Sequence, residues 1–113
     1  MNHASKCCLA ELIETFGLTF IGAGSIVITA LGEGAGPLGL AIAHGLVLSV
    51  LVSATMNISG AHINPAVTIT MLATDRIKVP LAVGYIISQL VGAAIAGFLL
   101  VTIFNSLGDK GAA

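Results

Sequence analysis

Apolar stretches dominate the chain, and a few charged residues punctuate them. The charges fall at Lys6, Glu11, Glu14, Glu33, Asp75, Arg76, Lys78, Asp109 and Lys110. Three uncharged runs lie between them, at residues 15–32, 34–74 and 79–108. A helix needs roughly 20 apolar residues to cross a bilayer. The first and third runs each fit one crossing. The middle run is too long for one, and it carries Gly, Asn and Pro where a second full crossing should lie.

The pattern predicts an all-α membrane protein, a single unit over residues 1–113. Its first span covers about 9–31, its second about 38–56 and its third about 80–104. Residues 32–37 read as a loop, with Pro37 placed to open the next helix. The segment 57–63 has no helical period and is broken by Gly60, so it reads as irregular backbone. Asn64-Pro65 starts a new helix, because Asn is a favoured N-cap and Pro is favoured at the first helical position. That helix ends near Thr74. At ~1.5 Å per residue, about ten residues reach ~15 Å, half of a ~30 Å hydrocarbon core. Residues 57–74 therefore form a re-entrant loop and half-helix. Such backbone survives at membrane depth only inside protein or along a water-filled cavity.

Composition narrows the function classes. Charged residues make up 8% of the chain, hydrophobic residues 57%, and the net charge is -1. The mean hydropathy is +1.08. Nine charges cannot cover the surface of a soluble domain, and a nucleic-acid binder would need a basic excess. Adjacent Cys7 and Cys8 cannot easily bridge each other. A cleaved signal peptide is not expected, because the first apolar stretch exceeds the usual h-region and no A-x-A site follows it. Small residues recur every fourth position at Gly45, Ser49 and Ser53, and at Gly84, Ser88, Gly92 and Ala96. Each stripe lets helix backbones approach closely in lipid. No nucleophile, metal cluster or phosphate loop suggests an enzyme, and neither cofactor nor metal is expected.

The run 57–68, with Ser-Gly-Ala-His-Ile-Asn-Pro-Ala-Val-Thr at its heart, closely resembles the first signature loop of the aquaporin (major intrinsic protein) family. Ala10-Glu11-Leu12-Ile13 with Thr15-Phe16 resembles that family's opening of span 1, and Gly22-x-Gly24 follows as it does there. Residues 85–93, Tyr-Ile-Ile-Ser-Gln-Leu-Val-Gly-Ala, resemble its third span. Family members carry two such halves, inverted relative to each other, with a second Asn-Pro-Ala usually followed by Arg. This sequence has one Asn-Pro-Ala, followed by Val67, and looks like the N-terminal half.

The resemblance implies a channel for water or small neutral solutes. It places Asn64, Pro65 and Ala66 at the pore centre, where the Asn amide donates to passing water. The carbonyls of Gly60, Ala61, His62 and Ile63 become a ladder of acceptors. Leu18 and Leu48 match pore-wall positions. Glu11 and Gln89 are implied to brace the loop, which fits the need of irregular buried backbone for side-chain partners. His44, twenty residues before Asn64, matches the outer constriction. In an inverted pair, Val52 and Val67 of the other half join it, Val67 standing where the family has its arginine. A partner is therefore expected: a second copy, a higher oligomer or a complementary half-channel, within the lipid bilayer.

Two alternatives stay open. Glu14 departs from the small residue usual at its position. It reads as an interfacial charge, a subunit contact, or the proton-coupled carboxylate of a small dual-topology exporter. A non-conducting accessory subunit is the other reading. Lys6, Arg76 and Lys78 on one side against Lys110 on the other point to a cytoplasmic N-terminus in the cell (inner) membrane.

Overall fold

The computed structural model describes the backbone of residues 1–112 and the side chains of residues 1–106. Lys110, counted in the charge bias, lies outside the described side chains. Four helices follow one another: α1 (His3–Ala30), α2 (Gly36–Ser59), α3 (Pro65–Ala73) and α4 (Val79–Ala112). There is no strand among the described residues. Three of the helices are long and apolar enough to cross a membrane. With nine residues, α3 is not.

The sequence explains most of the boundaries. The Asn2 side chain accepts from Ser5 N at 2.8 Å and starts α1 well before residue 9. The second span departs from expectation. Asn57, Ile58 and Ser59 are helical, not irregular. The helix continues until Gly60, which adopts a left-handed φ of 85° and donates its N–H to Met56 O at 3.1 Å. Glycine takes that conformation without steric cost, so the stop sits there and not three residues earlier. Asn64 caps α3 by accepting from Ala66 N at 2.8 Å, with Pro65 next. The fourth helix runs past 105–108, where an end was expected.

Packing places α1 in the middle, with α2 against one side and α4 against the other, while α3 rests on α4. The α1–α4 contact uses the second small-residue stripe. A Cβ at Gly92 would lie 2.3 Å from the Leu12 carbonyl oxygen, and one at Gly84 would lie 2.9 Å from Cys8 Sγ. On the other side, glycines of α1 receive α2: Gly17 faces Leu51 and Gly22 faces His44. The Gly45, Ser49 and Ser53 stripe is exposed, and a Cβ at Gly45 would meet nothing within 4 Å among the described residues.

Burial runs opposite to that of a soluble domain. Glu11, Glu14, Thr15, Ser59, Thr68 and Gln89 are buried, while Leu38, Leu46, Val50, Ile87 and Phe98 are exposed. Lipid solvates the apolar exterior, and the polar groups collect where they can pair.

Candidate functional site

The buried polar groups converge on the segment between α2 and α3. Glu11 of α1 is fully buried. Its carboxylate accepts from His62 N at 2.9 Å, from Ile63 N at 2.8 Å and from Gln89 Nε2 at 2.8 Å. A carboxylate only accepts, so three converging donors suit it. Each such charge-assisted bond is worth about 1.5–3 kcal/mol. That support is needed, because Ala61 and Ile63 hold positive φ values of 54° and 63°. Each non-glycine residue in that region costs on the order of 1–3 kcal/mol.

Further groups tie the segment down. Thr15 Oγ1 donates to Glu11 O at 2.8 Å and reaches Ile63 O at 3.3 Å. Gln89 Nε2 also donates to Thr68 Oγ1 at 3.0 Å, and that hydroxyl lies 2.9 Å from His62 Nδ1. The His62 ring stands edge-on to Tyr85, with centroids 4.9 Å apart. The Tyr85 hydroxyl donates to Ser59 O at 2.6 Å, and Cys7 Sγ donates to Ile58 O at 3.1 Å. Both cysteines are free thiols.

Sequence reasoning assigned no role to Thr15, Ser59, Thr68 or Tyr85. For three of them the signal is a spacing of four, as in Glu11–Thr15, Asn64–Thr68 and Tyr85–Gln89; Ser59 carries no such pair.

Glu14 is also fully buried. Ser59 Oγ donates to its Oε1 at 3.2 Å and accepts from Ala61 N at 3.1 Å. Oε2 of Glu14 has no partner among the described residues, nor has Oε1 of Gln89.

The braced segment offers a distinct set of free groups. The N–H groups of Ala61, His62 and Ile63 are all taken. The carbonyls of Gly60, Ala61 and His62 accept from none of the described residues, whereas that of Ile63 takes the Thr15 hydroxyl. Asn64 is exposed, and its side-chain nitrogen donates to none of the described residues. On α2, His44, Leu48 and Val52 follow one another at four-residue spacing and share a face. His44 Nδ1 lies 2.8 Å from Leu40 O, and Gly22 leaves room for the ring. Leu18 is half-buried and Leu48 exposed. Val67 is exposed on α3, which does not pack against α2, so this chain does not bring it to His44 or Val52. Among the described residues, no three His, Cys, Asp or Glu side chains cluster as a metal site would require.

The profile of the family described as Major intrinsic protein matches residues 1–113. The chain belongs to the major intrinsic protein family. It is 44% identical over 112 residues to aquaporin TIP4-4 of Zea mays, covering 94% of this chain and 44% of that protein. It is 46% identical over 94 residues to aquaporin Z of Rhodopseudomonas palustris, covering 81% and 39%. To the glycerol uptake facilitator protein-like 6 of Lactiplantibacillus plantarum it is 42% identical over 100 residues, covering 88% and 44%. The chain thus spans less than half the length of each of these relatives. Family membership and the three apolar helices together make it an integral membrane protein.

Proposed function

We propose that these residues line one half of a channel for water and small neutral solutes, and that the pore needs a second, inverted half. One observation carries this reading: the unpaired carbonyls of Gly60, Ala61 and His62 stand in sequence beside the free donor of Asn64. Consecutive acceptors followed by a donor at a half-helix N-terminus suit single-file passage of a hydrogen-bonding solute. The positive ends of two opposed half-helices would repel cations. Relatives named as aquaporins and as a glycerol facilitator support a neutral solute, and no enzymatic chemistry is expected. Partner copies of this chain or a separate half would supply the opposite wall. Three spans and one half-helix leave Asn64 exposed, and unpaired polar groups in lipid cost several kcal/mol each.

The exporter reading relies on Glu14 reaching solvent. Its full burial against Ser59 favours the channel instead.

In an inverted pair, each mouth would hold His44 of one half with Val52 and Val67 of the other. Two valines and an imidazole leave a wider, less cationic opening than an aromatic–arginine filter would. Purified protein reconstituted in liposomes tests this by stopped-flow shrinkage and swelling. Water and glycerol permeability above that of empty vesicles are expected, with Val67→Arg suppressing glycerol flux. Passage of water alone, unchanged by Val67→Arg, contradicts this mouth. Reporter fusions at the C-terminus then separate the partners: a uniform orientation excludes the inverted homodimer and calls for a separate half.

A further inference from the structure

An open cavity of about 620 Å³ lies where α1 and α4 both begin. Its lining brings His3, Arg76 and Lys78 together with Cys8, Pro80 and Leu81. We propose that this cavity binds one anionic phospholipid, with its phosphate on Arg76 and Lys78 and the start of an acyl chain against Cys8, Pro80 and Leu81.

Three features point to that occupant. The first is depth. Two membrane-crossing helices start here, so the rim stands at the level of lipid headgroups. The second is the order of polarity. Charged residues precede the span and apolar residues follow within its first turns, the same sequence of headgroup and chain that a phospholipid presents along the membrane normal. A free anion would leave the apolar lining residues uncovered. The third is charge. Arg76 and Lys78 carry two permanent positive charges, and Asp75 is the one carboxylate among the lining residues. The positive end of the α4 dipole adds to the excess.

The turn that carries the two basic residues is fixed. Asp75, at a φ of 60°, donates its N–H to Leu72 O at 3.2 Å, and Arg76 N donates to Met71 O at 2.8 Å. The end of α3 thus fixes the backbone of Asp75 and Arg76 before any lipid arrives. This inference does not depend on what, if anything, the protein conducts.

Native mass spectrometry of the detergent-purified chain tests it, with phosphatidylglycerol and phosphatidylcholine of matched acyl chains as probes. The wild type should retain one phosphatidylglycerol about tenfold more strongly than phosphatidylcholine, as expected for two basic groups at an anionic surface. Arg76→Gln with Lys78→Gln should abolish that preference. Lys6→Gln, at the same end but outside the cavity, should preserve it. Equal retention of the two lipids by the wild type overturns the proposal, whatever the variants do. So does a preference that survives the double substitution, or one lost equally in Lys6→Gln. Displacement of the lipid by inorganic phosphate would mark a free-anion site and also overturn it.

Discussion

Glu11 and Glu14 stand one turn apart on the same helix, both fully buried, yet they serve the neighbouring backbone in different ways. Glu11 receives three donors at 2.8–2.9 Å, two of them consecutive backbone N–H groups. Glu14 receives one hydroxyl at 3.2 Å, and its second oxygen is unpartnered among the described residues. Burial is therefore not what distinguishes a structural carboxylate. The number of converging donors does, because a buried polar group stabilises only when its partners are present. Glu11 holds the loop directly. Glu14 reaches it only through Ser59, which passes the contact on to Ala61 N.

Isosteric substitutions break this comparison most sharply. Glu11→Gln replaces an acceptor-only group by one that must present an N–H toward donors. We expect a loss of about 3–5 kcal/mol in stability, the range for breaking a buried charged network, seen as a lowered unfolding midpoint in lipid nanodiscs. An unchanged midpoint would show that the loop holds itself. Gln89→Leu comes next, at about 1–2 kcal/mol. It removes the donor shared by Glu11 and Thr68, but it also removes the orphaned Gln89 oxygen, which offsets part of the loss. Glu14→Gln should shift stability by less than about 1 kcal/mol in either direction, because Ser59 keeps an acceptor and one unpartnered buried group replaces another while a buried charge is lost. A loss as large as that of Glu11→Gln would place the two carboxylates in one network and erase the distinction.

Much of the architecture is legible in the sequence because membrane spans write themselves as uncharged runs, and because Asn64-Pro65 is a local start signal that needs no tertiary information. The end of α2 is not. Asn57, Ile58 and Ser59 are neutral toward helix, and only the left-handed φ of Gly60 shows where the helix stops. The site divides along the same line. The motif around Asn64 marks the loop, but which groups bond it depends on how closely α4 approaches α1. That approach depends on Gly92 lying against the Leu12 carbonyl, which brings Gln89 within 2.8 Å of Glu11. The positive φ values of Ala61 and Ile63 leave no trace in residue type, since neither is glycine. The unsatisfied oxygen of Glu14 likewise emerges only once the groups around it have found their partners.

The central claim is that the Glu11 carboxylate fixes the re-entrant loop by its backbone. Amide hydrogen exchange at His62 and Ile63, measured in nanodiscs for the wild type, Glu11→Gln and Glu14→Gln, tests it most directly. Both amides should be protected in the wild type and in Glu14→Gln, and should exchange at least about tenfold faster in Glu11→Gln, the factor that corresponds to ~1.4 kcal/mol of lost protection. Equal exchange in all three proteins, or greater exposure in Glu14→Gln, would contradict the account.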